Sequence, residues 1–216
     1  MMTVAAALCL MGCQQDAYDK GEGEYSLMRA DLVTLHTDRD CYVDSVYHDD
    51  GYVLLANPQF TTQQLTTPDS LYRSLFYYEL RADSTVRPIS MTLIPTLRPK
   101  RAEQWKGGVP TDPVHFESGW TGRARRYLNC SVLLMTGQPE TTDSVLKQKI
   151  GVALDSVSTS AASGITTAYL TFAHDQGGVP EYYSQRLRFS VPLSDLGADS
   201  VQLRIVTYGD TIVKTF

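Results

Sequence analysis

From residue 27 onward the chain reads as one short strand signal after another, and this limits its folding more than any other feature. Runs rich in β-branched and aromatic residues, many with partial period-two alternation, are cut by Gly, Pro, Asn and Asp. Period two places alternate side chains on opposite faces of a sheet, whereas an amphipathic helix repeats its apolar residues every three to four positions. Nothing in the chain demands a long helix, and an all-β fold is expected.

Five strands are expected in the first half, at 27–37, 41–47, 52–55, 72–81 and 89–94. His48-Asp49-Asp50-Gly51 supplies an Asp-Gly hairpin turn between the second and third, since glycine accepts the positive φ such a turn needs. A loop of Thr, Gln and Pro is expected from 58 to 69, and Ala82-Asp83-Ser84 forms the next turn. The stretch 95–113 holds four prolines and the basic residues Arg98, Lys100, Arg101 and Lys106. It reads as an interdomain crossing whose charges form a solvated face rather than a binding patch.

Seven strands are expected beyond it, at 114–120, 127–135, 150–157, 166–173, 182–191, 201–207 and 211–216. In the fifth of these, Leu187, Phe189 and Val191 face inward while Arg186, Arg188 and Ser190 face out. Val201, Leu203 and Ile205 alternate with Gln202 and Arg204 in the same way, and Gly209-Asp210 reads as a type II′ two-residue hairpin. Seven strands at this spacing suggest an immunoglobulin-like β-sandwich. A length of 216 residues accommodates two small domains.

The first thirteen residues, MMTVAAALCLMGC, are too short and too apolar to be read as part of either domain. A bilayer-spanning helix needs roughly 20 apolar residues. The ending Leu10-Met11-Gly12-Cys13 resembles a bacterial lipobox, which implies a signal peptide at 1–12, cleavage before Cys13 and acylation of its sulfur. Stable anchoring takes more than one acyl chain, which a fully acylated Cys13 would provide. Residues 1–12 carry no Lys or Arg, so a translation start upstream is the expectation. Residues 13–24 read as a flexible tether in which Gln14-Gln15-Asp16 partly resembles a surface-export signal. Cys9 leaves with the signal, and Cys41 and Cys130 are expected as free buried thiols.

The lipobox, the strand ending in ADLVTL, the hairpin at Asp50-Gly51-Tyr52 and the strand opening Arg126-Tyr127-Leu128-Asn129 after Trp120 together resemble the NigD-like lipoproteins of Bacteroidetes. The resemblance spans essentially the whole mature chain. It implies an OB-type barrel at 25–97 followed by the linker and β-sandwich at 98–216, matching the five-plus-seven strand count. It also implies an association with bacteriocin-type gene clusters, and it supplies no catalytic residue.

Nor do the residues themselves supply one. His36, His48, His115 and His174 are isolated in sequence, and metal ligation needs short fixed spacings. His48-Asp49-Asp50 and His174-Asp175 each lie beside a glycine in an expected hairpin loop, where Asp serves turn geometry. No nucleophile elbow, phosphate loop or dinucleotide fingerprint occurs, and Glu22 and Glu24 fall in the tether. No catalytic residue, metal or cofactor is therefore assigned. With 19 Lys and Arg against 24 Asp and Glu, the net charge of −5 disfavours nucleic acid. Tyr77-Tyr78 and Tyr182-Tyr183 place one ring on each face of a strand, where the outer ring either stacks on a sugar or peptide or simply covers the sheet.

Three functional classes follow. The preferred one is a non-catalytic binding or adaptor lipoprotein, lipid-anchored at the outer membrane and facing either the periplasm or the cell exterior, with an unknown protein, peptide or glycan ligand. The others are a subunit of a fimbria-like or secretion-associated assembly, and an envelope enzyme acting on glycan.

Overall fold

A computed structural model of the chain describes residues 27–138 and 146–216. The signal peptide, Cys13 and the tether lie outside the described residues. The elements in chain order are β1 Met28–Thr37, β2 Val43–His48, β3 Val53–Phe60, β4 Ser70–Leu80, β5 Thr85–Leu93, β6 Lys100–Arg101, β7 His115–Thr121, β8 Tyr127–Thr136, β9 Lys149–Thr159, β10 Thr166–Asp175, β11 Tyr183–Pro192, β12 Ser200–Val206 and β13 Thr211–Thr215. The all-β expectation holds, and among the described residues the helical content is two single 3₁₀ turns.

Strands β1 to β5 close into a barrel in the order β1-β2-β3-β5-β4. Closure comes from a ten-residue antiparallel ladder between β1 and β4, running from Met28 opposite Glu79 to Thr37 opposite Ser70. Period two then sorts the side chains. Val33, Leu35, Val43, Val46, Phe76 and Tyr78 fill the interior, each fully buried. The rings of Phe60, Phe76 and Tyr78 stack in sequence at 5.6 and 5.2 Å. Burying an aromatic or aliphatic side chain of this size contributes roughly 1.5–3 kcal/mol, so the barrel interior supplies its main stabilisation.

The remaining strands form a five-stranded sheet, β13-β12-β10-β9-β6, and a three-stranded one, β11-β8-β7. Their facing sides share one core of Leu128, Cys130, Val132, Leu170, Phe189, Leu203 and Ile205, among others. The inward set expected for β12 is the one found. β13 pairs with β12 from Gln202 opposite Thr215 to Val206 opposite Thr211. The Phe216 ring lies so close to Gly119 that a Cβ there would meet it at 2.7 Å.

Four local expectations need correction. β3 runs on to Phe60, through a cis Asn57-Pro58 bond, where a loop was expected from residue 58. Segment 95–113 is no bare crossing. Thr96 bridges to Ser190 and Thr111 to His174, β6 joins β9, and Leu97 packs on the second core. The β12–β13 turn centres on Tyr208-Gly209, not Gly209-Asp210. The Thr207 N–H donates to Asp210 O at 2.8 Å, and neither Tyr208 nor Gly209 has a positive φ, which a type II′ turn requires at its first central residue. Ser190 faces outward from its sandwich as expected, yet it is fully buried, because the barrel covers that face.

Candidate functional site

The buried contact between barrel and sandwich starts from the parity of β4. Phe76 and Tyr78 point inward, so Leu71, Arg73, Leu75 and Tyr77 point out of the barrel. An outward Arg is ordinarily solvated. Arg73 is instead only 5 % exposed, because β8 and β11 lie over it. A buried guanidinium is tolerated when its donors are satisfied, and here they are. Nε donates to Ser190 Oγ at 2.9 Å, Nη1 to Asp49 Oδ1 at 2.7 Å, and Nη2 to Asn129 Oδ1 at 2.8 Å as well as to Asp49 Oδ2. Asn129 Nδ2 donates back to Asp49 Oδ2 at 2.8 Å, and the Ser190 hydroxyl donates to Asn129 Oδ1 at 2.8 Å. The Tyr127 ring lies 4.3 Å from the guanidinium carbon, a cation–π contact.

Asp49 reaches this network because the β2–β3 hairpin turns tightly at Gly51, whose φ is 99°. The β7–β8 hairpin docks against that turn. The Ala124 N–H donates to Asp49 O at 3.1 Å and the Arg123 N–H to Asp50 Oδ1 at 3.0 Å. Gly122 leaves no room for a side chain, since its Cβ would lie 2.5 Å from that of Asp49. Two hairpin tips and four buried polar side chains thus lock barrel to sandwich.

Beside this lock lies a cleft of about 690 Å³. The barrel contributes Thr34, His36, Tyr47, Asp69 and Leu71, and the sandwich contributes Arg126, Tyr127, Pro192 and Ser194. Leu71 is 64 % exposed although it is a large apolar side chain at the rim. His36 Nδ1 is 2.8 Å from Asp44 Oδ1. Burial alone would raise the Asp44 pKa, but hydrogen bonds with His36 and Ser45 outweigh it and hold the carboxyl below its ordinary value. Apolar and aromatic walls with a few fixed donors and acceptors are the usual makeup of a ligand site.

The histidines do not converge. His48 stacks on Tyr52 at 4.3 Å, His115 stacks on Tyr208 at 4.7 Å, and His174 is fully buried with Nδ1 3.1 Å from Asp112 O. Asp49 is committed to Arg73, and Asp175 accepts from the Gly177 N–H and Lys149 Nζ. Among the described residues no three His, Cys, Asp or Glu side chains are grouped to hold a metal ion. Tyr78 belongs to the barrel core and Tyr77 is half-buried, whereas Tyr182 and Tyr183 are both exposed, at 65 % and 55 %. Arg98 pairs with Asp195 at 2.9 Å, with both side chains largely exposed, as fits a solvated face. Cys41 and Cys130 are free thiols, and burial pushes the Cys130 pKa up to about 12.

The lock and the cleft escaped the sequence reading. The available signal was polar residues at outward positions between large apolar neighbours: Arg73 in LYRSLF, Asn129 in YLNCSV and Ser190 in RFSVP.

No protein-family model matches the chain, and no curated protein matches its sequence. Solved structures do. A NigD-like immunity protein from Bacteroides caccae superposes with a TM-score of 0.65 at 22 % identity, over 86 % of this chain and 91 % of that one. A proposed toxin-related protein from Parabacteroides distasonis gives 0.66 at 16 % identity, over 88 % and 92 %. A proposed lipoprotein from Bacteroides fragilis gives 0.58 at 16 %, over 88 % and 96 %. The chain therefore shares its overall fold, along most of its length, with the NigD-like immunity protein of Bacteroides caccae.

Proposed function

We propose that the chain is a NigD-like envelope lipoprotein without catalytic activity, a binding or adaptor module held to the outer membrane by a lipid on Cys13. In this reading residues 25–97 are an OB-type barrel, which the strand order β1-β2-β3-β5-β4 supports, and residues 98–216 carry an immunoglobulin-like sandwich. The observation that carries the proposal is the cleft beside the Arg73 lock. Its Tyr47, Leu71 and Tyr127 walls are preorganised by a rigid boundary, and preorganisation lowers the entropy cost of binding. The neighbours' names include an immunity protein and no enzyme, which is compatible with a non-catalytic role. An immunity-type role would make a bacteriocin-like peptide or protein the natural occupant.

The assembly-subunit reading has less support, because β13 is held along its length by its own β12 and is no detached strand to donate, although its outer edge is open. The test is in-cell photo-crosslinking from position 71, at the cleft rim, with position 106 as an exposed control. One dominant adduct from position 71 alone is expected, and equal labelling from both would overturn the binding-site reading. For the anchor, Cys13→Ala should abolish labelled-palmitate incorporation. Unchanged labelling would remove it. Protease shaving of intact against lysed cells then decides which side of the membrane the modules face.

A further inference from the structure

The outward residues of β4 continue past the lock: Leu71 lies in the cleft, Arg73 in the lock, and Leu75 and Tyr77 in a separate trench. Three adjoining hollows make up that trench. Two share Asp31, Leu32 and Trp120, and two share Leu75 and Arg188. The central hollow is about 310 Å³ and is lined by Tyr77, Leu75, Trp120 and Arg188 among others.

Its floor is the outward face of β7-β8-β11. Trp120 sits opposite Asn129, and Arg188 sits opposite Ser131 on the far side of the central strand. The two residues are therefore two strand spacings apart and offset by two positions along the strand, roughly 12 Å in all. Trp120 is 40 % exposed and lines the central hollow. Near Arg188 the charges do not balance. Glu117 accepts from Arg186 at 2.6 Å through each oxygen and from the Ser131 hydroxyl at 2.7 Å, so three of its roughly four acceptor sites are taken and its single charge faces two arginines, Arg186 and Arg188. The half-buried Arg188 guanidinium has no hydrogen bond or ion pair among the described residues. Five donors in a planar fork, without a hydrogen bond beside one carboxylate already held by Arg186, match a carboxylate supplied from outside. At the other end Asp31 is engaged by the Tyr78 hydroxyl at 2.7 Å, while Asp50, whose Oδ1 accepts from the Arg123 N–H, keeps Oδ2 as an acceptor for a hydroxyl.

Of the strands lining the trench, β1, β4 and β8 are paired on both edges, whereas β7 and β11 are the outer strands of their sheet. The hollow itself is lined by side chains of the strand faces, Trp120 and Arg188 among them, and these carry the recognition. We propose that the trench binds an acidic oligosaccharide, with one sugar ring stacked on Trp120 and a sugar carboxylate paired with Arg188. The site is separate from the cleft and stands without it.

The chain has 2 tryptophans, so Trp105→Phe leaves Trp120 as the single reporter. Fluorescence titrations of that variant would use galacturonate, glucuronate and sialyl oligosaccharides, with methyl-esterified galacturonate trimer as the matched uncharged control. A saturable change with at least one acid is expected, weakened about tenfold or more by esterification and to the same degree by Arg188→Gln, but not by Arg98→Gln. Calorimetry on Trp120→Ala should show the same loss. Three results would each overturn the proposal: no binding of any of the three acids at millimolar concentration, equal binding of the ester, or equally tight binding of an acidic peptide through Arg188. The ester comparison can also be run by calorimetry on the unaltered chain, so it decides the question even where a variant fails to fold.

Discussion

Arg73 shows how a single side chain can set the relation between two sheets. Its charge is tolerable only while Asp49, Asn129 and Ser190 are in place. Breaking a buried pair by removing one partner strands the other, at a cost of about 3–5 kcal/mol. Arg73→Met should therefore lower the unfolding free energy by about that amount in a denaturant titration, whereas Arg73→Met combined with Asp49→Leu should recover part of the loss. Glu117 is a surface case with a different readout. Hydrogen bonds from Arg186 and then Ser131 hold its pKa at about 2, below the ordinary 4.5. A depressed carboxyl stabilises the fold fully above its unfolded value and loses that contribution as pH falls towards its folded value. Acid unfolding of the native chain should thus steepen between about pH 4.5 and 2, and Glu117→Gln should flatten that segment alone. Cys130, with its thiol pushed up to about 12 and fully buried, should resist a thiol reagent until the chain unfolds, while the partly exposed Cys41 reacts first.

At the level of elements, the contact of two hairpin tips matters as much as any strand. Gly122 lies against the backbone of Asp49, and a rigid backbone cannot yield to a new Cβ as a flexible side chain can. Gly122→Ala should cost roughly 1–3 kcal/mol as an overpacked contact. For a chain of this size that lowers Tm by roughly 2–12 °C. Gly209→Ala is the matched control. Gly209 has open space around it and no positive φ, so its Tm should barely move. The last strand is equally integral. The N–H of Phe216 donates to Val201 O at 2.8 Å and the Val201 N–H to Phe216 O at 3.0 Å, so removing residues 211–216 should unfold the sandwich and not release a folded monomer.

For the whole molecule, the barrel and the sandwich have separate cores but a buried polar boundary. Such a boundary couples their unfolding. Tryptophan fluorescence, which reports on the sandwich, and near-ultraviolet dichroism of the barrel tyrosines should give coincident transitions, and Arg73→Met should separate them. Strand content was legible in the sequence because alternation is a local property that every residue pair displays. The five strands before residue 95 and the seven main ones after 113 follow from it, and so do the buried set of β12 and the absence of long helices. The barrel's closure, the β10–β12 and β3–β5 parallel pairings, and the conversion of segment 95–113 into sheet edge were decided only by tertiary structure. So were the burial of Arg73 and Ser190, the cleft, and the meeting of Trp120 with Arg188. Each depends on residues tens of positions apart, and an outward side chain carries no mark saying whether water or another sheet will cover it.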